Sequence, residues 1–367
     1  MTFRTQEDIM QYWTSKSDAP MVSIRCITYN HESFIAQALD SFLMQKTVFP
    51  FEIVVHDDAS SDKTANIVRE YEKKYPDIIK PIYEEENQYS KNVAHFRKVV
   101  DDACKGKYIA YCEGDDYWIE PDKLQVQVDW LESHPEHTMC CSDAIIESPN
   151  GILDWHRYEK DCDIPVKDMI LGGGQFVQTA TIVYRRDILN NYPDVCLKCH
   201  VGDFPLQLWA VLNGKVRYIA QKTASYRYFR SGSWTSNQRN FDIKKLIHGW
   251  QSEIDMLDYL NKYSKNDFSH YFQARKELYL HGLLKSHENY WATILKNINI
   301  GKKFTKQKKI EGFLIKINCP SIANSYLLLT QKKYKDALYS LPILRKIVPF
   351  IYFKIFKKKI IPQGSLK

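Results

Sequence analysis

Gly106-Lys-Tyr-Ile-Ala-Tyr-Cys-Glu-Gly-Asp-Asp-Tyr-Trp118 joins a short apolar run, residues 108–112, to three acids in four residues: Glu113, Asp115 and Asp116. The run reads as a strand and the acids as its end. The same unit recurs outward in both directions. Upstream, strands are expected over residues 22–28, 51–56 and 78–83. They alternate with helices over 33–45, 65–75 and 93–103, the first carrying Phe34, Ile35, Ala38, Leu39 and Phe42 at helical spacing. Downstream follow a helix over 124–131 and a short strand over 138–142. Such alternation implies right-handed crossovers and a mostly parallel α/β sheet flanked by helices. Ligands of such sheets bind beyond the carboxyl ends of the strands. Three polar clusters fall there: Thr28-Tyr-Asn-His-Glu32, Asp57-Asp58 and Glu113-Gly-Asp-Asp116.

After Gly151 the pattern loosens. Leu171-Gly-Gly-Gly174 is a break, residues 179–184 read as a strand, 204–212 as a helix and 216–219 as a strand after the Asn213-Gly214 turn. Beyond about residue 240 helical periodicity continues without strand alternation. The expected division is an N-terminal extension, 1–20, an α/β domain, 21–240, and a helical, basic C-terminal region, 241–367.

With 44% hydrophobic and 26% charged residues the chain is not of the disordered class. The net charge of +7 is unevenly shared. Residues 301–367 carry 16 Lys and Arg against Glu311 and Asp336, which leaves the rest of the chain acidic. An anionic surface is the partner this suggests, for the tail alone. Within the tail, residues 339–359 mix apolar and aromatic residues with cations, the composition of a segment lying in a membrane interface or of a helix packed on the domain. The sheet region lacks interleaved basic and aromatic residues, so no nucleic-acid partner is expected. No secretory signal and no apolar run of about 18 residues are visible. The expected location is therefore cytoplasmic, with peripheral attachment to the inner face of the membrane as the tail's contribution. Cys196-Leu-Lys-Cys199-His200 matches a haem c attachment spacing, but with no export signal and no second cysteine pair the thiols are expected to be buried or incidental.

Acids crowded at 113–116 would repel one another unless a cation joins them. Mg²⁺ or Mn²⁺ suits oxygen ligands and commonly takes one or two carboxylates plus substrate phosphates. A solvated acidic turn before the helix near Pro121 is the plainer alternative. At Asp57-Asp58-Ala-Ser-Ser-Asp62 the last acid suits a helix cap, whereas Asp57 and Asp58 come too early for one.

Taken in order, Ser23-Ile-Arg-Cys-Ile-Thr-Tyr-Asn-His-Glu32, Asp57-Asp58-Ala-Ser-Ser-Asp62, Gly106-Lys-Tyr-Ile-Ala110 and Glu113-Gly-Asp-Asp-Tyr-Trp118 resemble the family 2 glycosyltransferases of GT-A fold, of the bacterial surface-polysaccharide type. The similarity runs over about residues 22–234. It implies an inverting enzyme that moves a sugar from a nucleoside diphosphate, with UDP favoured, to a hydroxyl of a glycan or lipid-linked glycan. On that resemblance Thr28, Tyr29, Glu32, Asp57, Lys91 and Asn92 border the nucleotide. Glu113 and Asp115 match the family's Asp-x-Asp pair, with Glu113 a departure, and Asp115 and Asp116 are the metal ligands. Asp203 stands at the catalytic base, although Gly202 replaces the acid that usually precedes it. From the residues alone, Asp203 reads first as a helix cap. Residues 226–234 resemble the loop that closes over the diphosphate, where Arg227 or Arg230 would grip phosphate. Trp118, Gln178, Thr179 and Trp234 are expected on the acceptor side. Two alternatives stand beside this reading: a glycosyltransferase-like scaffold without activity that binds a membrane surface, and a sugar nucleotidyltransferase. The latter normally has a Gly-rich phosphate loop, and residues 28–32 contain no glycine.

Overall fold

The computed structural model describes residues 4–14, 19–148, 151–155, 157–228 and 243–286. Strands β1 (Val22–Thr28), β2 (Phe51–Asp57), β3 (Ile79–Tyr83) and β4 (Tyr108–Tyr111) alternate with helices α2 (Ile35–Leu43), α3 (Thr64–Lys74) and α4 (Val93–Ala103), after a short α1 (Gln6–Met10). Next come β5 (Tyr117–Trp118), α5 (Lys123–Ser133), β6 (His137–Ser148), β7 (Gly151–Trp155), β8 (Cys162–Asp163) and α6 (Val166–Gly172). A 3₁₀ turn (Thr179–Thr181) leads into β9 (Val183–Arg185). The remainder is α7 (Asp194–Leu197), α8 (Asp203–Asn213), β10 (Lys215–Arg227), α9 (Ile243–Tyr263) and α10 (Ser269–Ser286).

The sheet runs β3-β2-β1-β4-β9-β6-β10-β5, with β7 paired to β6 and β8 to β10. The pairs β1–β2, β1–β4, β2–β3 and β6–β10 are parallel, and β9 enters antiparallel between β4 and β6. The mostly parallel α/β sheet read from the sequence is therefore present. Period-two side-chain alternation divides the core. Ile53 and Val55 join α2, α3 and α5 on one face, whereas Val54 joins residues of α4, α6, α8 and α9 on the other.

Three expected elements differ. The strand expected over 216–219 runs from Lys215 to Arg227 as β10. Residues 179–184 are not one strand: Thr181 donates from both its N–H and its Oγ1 to the Gln178 carbonyl, closing a turn before β9. The strand expected over 138–142 runs to Ser148; Ser142 Oγ pairs with Thr223 Oγ1 of β10 at 2.6 Å where the β6–β10 register shifts, so these buried hydroxyls satisfy each other.

The chain divides into two compact units, Met1–Arg275 and Lys276–Lys367. The first takes in α9, whose Met256, Leu257 and Leu260 are fully buried. Among the described residues no helix is long and apolar enough to cross a membrane. The segment 339–359 lies outside the described residues.

Candidate active site

Parallel pairing sets the three polar clusters side by side. Thr28 pairs with Asp57, and Gly114 N–H, just past β4, donates to the Ile27 carbonyl of β1 at 2.8 Å. This approach requires glycine: a Cβ on residue 114 would lie 2.8 Å from Thr28 Oγ1 and 3.0 Å from Ile35 Cδ1. Thr28 Oγ1 is buried there without a hydrogen-bond partner, a polar atom in want of a ligand or water.

Residues 29–32 are fastened to 60–64. Asn30, at φ 55°, donates from its backbone to Ser60 Oγ and accepts from Ser61 N–H. His31 N–H donates to Thr64 Oγ1 at 2.8 Å, and Glu32 N–H to Asp62 Oδ2 at 3.0 Å. Glu32 Oε2 in turn accepts from Lys63 N–H at the start of α3, where a negative charge is favourable. Tyr29 remains 45% exposed, its ring presented at the surface.

Asp57 and Asp58 are both buried and do different work. Asp57 accepts from Ser60 Oγ at 2.5 Å and Ser60 N–H at 3.2 Å. Asp58 accepts from the N–H groups of Gln88 and Tyr89 at 2.6 and 3.1 Å, so it holds the loop after β3. Sequence reading missed this role of Asp58; its signal was a second acid at a strand end with no helix to cap. Of the two residues expected on that loop, Lys91 pairs with Glu86, and Asn92 caps α4 by accepting from His95 N–H at 3.1 Å.

At the acidic turn Glu113 is exposed, Asp115 half-buried and Asp116 only 4% exposed. His31 Nε2 stands 4.0 Å from Asp115 Oδ2. Burial and the neighbouring Asp115 push the Asp116 carboxyl well above the usual carboxylate range. Its Oδ1 accepts from Arg227 N–H at 2.9 Å. The side chain of Asp116, expected to ligate a metal, is turned inward and links the turn to β10. No group of three or more His, Cys, Asp or Glu side chains is gathered for a metal among the described residues. A divalent cation would rest on Asp115, with Glu113 beside it, and on phosphate oxygens of the substrate, the sparse protein ligation common for Mg²⁺.

Arg227, expected at the diphosphate, braces this turn instead. Its guanidinium donates to the Asp115 carbonyl and Gln37 Oε1, each at 2.5 Å, and lies 3.7 Å from Glu147 Oε2. It sits 4.6 Å from the Tyr117 ring centroid and 5.1 Å from that of Phe34. Gln37 and Glu147 had no sequence signal, being far from Arg227 along the chain. Trp118 is also corrected. It is 1% exposed, its Nε1–H donates to the Ala180 carbonyl at 2.8 Å and its ring packs edge-on against Phe42, so it is core and cannot stack on a sugar. Arg230 and Trp234 lie outside the described residues.

Asp203 is the first residue of α8, not its cap, which is Gly202. One carboxylate oxygen accepts from Phe204 N–H at 2.8 Å and the other from Thr179 Oγ1 at 3.2 Å. Burial raises its pKa, while these hydrogen bonds and the Arg97 charge oppose the rise. Thr179 adjoins Ala180, which accepts from Trp118 two residues beyond Asp116. A short bonded path therefore runs from Asp203 to the acidic turn. Gln178 lines a cavity of about 10 Å³ with Asp143, Arg157 and Tyr218, room for a single water. Cys196 and Cys199 are buried, and desolvation pushes both thiols up to about 12, so neither is a thiolate at neutral pH.

The glycosyl transferase family 2 model matches residues 23–192. An uncharacterized protein of Mycobacterium tuberculosis is 36% identical over 257 residues, 67% of this chain and 70% of that protein. The dTDP-rhamnosyl transferase RfbG of Shigella flexneri is 28% identical over 221 residues, 57% of this chain and 73% of that protein. Among solved structures, S. aureus TarS 1-349 in complex with UDP-GlcNAc superimposes with a TM-score of 0.57 at 18% identity, covering 82% of this chain and 83% of that one. With its strand order, clustered acids and these likenesses, the chain belongs to glycosyl transferase family 2 and has the GT-A fold.

Proposed function

We propose that the chain is an inverting glycosyltransferase that moves a sugar from a UDP-sugar to a hydroxyl of a glycan or lipid-linked glycan in surface-polysaccharide synthesis. The observation that carries this reading is Asp203: a carboxylate with raised pKa, fixed by Thr179 and Phe204 and tied through Ala180 and Trp118 to the acidic turn. Its remaining lone pairs suit a general base. RfbG, named as a dTDP-rhamnosyl transferase, and TarS, solved with UDP-GlcNAc, both concern a pyrimidine nucleoside diphosphate sugar.

Thr28 Oγ1, Tyr29 and Asp57 would receive the nucleoside, and Glu113 the ribose. Mn²⁺ or Mg²⁺ at Asp115, when bound, supplies Lewis-acid neutralisation of the diphosphate. Asp203 accepts the proton of the acceptor hydroxyl as its oxygen bonds to the anomeric carbon. The bond from that carbon to the nucleoside diphosphate breaks on the opposite face, and the anomeric centre inverts. The test is a panel of nucleotide sugars, each with Mn²⁺ or EDTA, read by thermal stabilisation and by nucleoside diphosphate release. A UDP-sugar is expected to stabilise and to turn over. Release from no donor, or full turnover by Asp203→Asn, would refute the assignment.

A further inference from the structure

Helix α4 buries Phe96, Arg97 and Val100 together, so a cation lies among apolar side chains. A buried guanidinium is costly unless its donors are engaged. Those of Arg97 converge on one loop. Nη1 donates to the Leu197 carbonyl at 2.8 Å and the Cys199 carbonyl at 2.6 Å, and Nη2 to that of His200 at 3.4 Å. The guanidinium also lies against Gly202, where a Cβ would stand 3.1 Å from Nε, 3.2 Å from Nη2 and 3.3 Å from Cζ. It thus occupies the space a side chain at 202 would enter, the position at which the family resemblance leads one to expect an acid. Asp203 is the next residue. The Tyr89 hydroxyl reaches the same His200 carbonyl at 3.5 Å from the loop that Asp58 holds.

We propose that Arg97 is a positioning residue for the candidate base: it pins the backbone of residues 197–202 from which Asp203 projects. This rests on the reading of Asp203 as the base. The family departure at Gly202 and the inward Arg97 form one arrangement, since the bare glycine lets the guanidinium lie flat on the chain. The charge of Arg97 favours the ionised carboxylate, against the burial that disfavours it.

The experiment follows the Asp203 carboxyl by ¹³C NMR in aspartate-labelled full-length protein, with Asp203→Asn as the assignment control, beside the pH profile of kcat. Arg97→Met should move the Asp203 titration upward, since the charge that favours the ionised form is gone. It should lower kcat toward about 10²-fold, the scale of a displaced catalytic group, and leave the donor KM in place. Arg97→Lys keeps the charge but not the planar fork, so it should restore the titration and only part of kcat. An unchanged Asp203 titration in folded Arg97→Met overturns the proposal, whatever happens to kcat. Should Arg97→Met fail to fold, Gly202→Ala decides. Its φ of −104° suits alanine, so only the contact with the guanidinium is disturbed; an unmoved titration and kcat then overturn the proposal. If the native protein turned over no donor, the reading of its function would fall, while the titration would still decide whether Arg97 governs Asp203.

Discussion

Asp203 and Asp115 are half-buried acids with different surroundings, and single substitutions should separate their roles. Asp203→Asn keeps the hydrogen-bonding shape but cannot take a proton, so kcat should fall by roughly 10²–10⁴-fold. In the native enzyme the base must be ionised. Because burial raises its pKa, activity should disappear on acidification at a higher pH than an ordinary aspartate would give, read from the acid limb of the kcat profile. Thr179→Val removes a hydrogen bond that favours the ionised form, and should move that limb higher still. The acidic turn offers a sharper contrast. Asp115→Asn should abolish the response of turnover to Mn²⁺. Asp116→Asn should preserve that response, because an amide oxygen can still accept from Arg227 N–H. Mn²⁺ titration of both variants checks this, and equal loss in both would contradict the inward placement of Asp116.

Elements hold these residues by fastening loops together, more than by any helix propensity. Asn30 shows the principle: it accepts αL backbone geometry and supplies the oxygen that receives Ser61 N–H. Asn30→Ala should cost about 1–3 kcal/mol, from the φ penalty and the lost hydrogen bond, measured by urea unfolding. Helix α5 carries a different burden. Lys123 is buried, donates to Gln127 Oε1 at 2.6 Å and lies 4.5 Å from the Trp118 ring centroid. Desolvation holds its pKa down to about 7. The unfolded chain, with an ordinary lysine near 10.4, therefore binds more protons than the folded one between those values. Stability should rise with pH through that window, and the cost of the buried charge is fully present below its lower end. Lys123→Met should flatten the rise between pH 7 and 8.5 and stabilise the protein below it, by a few kcal/mol at most. Chemical denaturation at several pH values measures the difference.

Across the whole molecule, charge separates where chemistry does. The acids sit at the carboxyl ends of β2 and β4, and the excess of lysine belongs to residues 301–367. If the tail meets an anionic surface, the full chain should co-sediment with phosphatidylserine-containing vesicles, and should be released by raised salt or by truncation after residue 338. Binding that ignores salt would point to apolar packing of that segment instead. Much of the site was legible from order and spacing. Strand-end acids at 57–58 and 113–116 fall where a parallel sheet must place them, and Asp203 follows a loop ahead of an apolar helix. Arg97 left a fainter trace, an arginine inside the stripe of Phe96, Val100 and Cys104. Gln37, Glu147 and the inward turn of Trp118 left none.

The alternation of β-rich and helical runs determined the sheet and the acids at its strand ends, because side-chain periodicity and strand direction are local properties that the chain writes in order. Which acid faces outward, which is locked against Arg227, and which arginine stands by Asp203 were decided only by packing. Those choices turn on hydrogen bonds between residues about a hundred positions apart, Arg97 with 197–200 and Asp116 with Arg227. Desolvation then sets what each group costs and how it titrates.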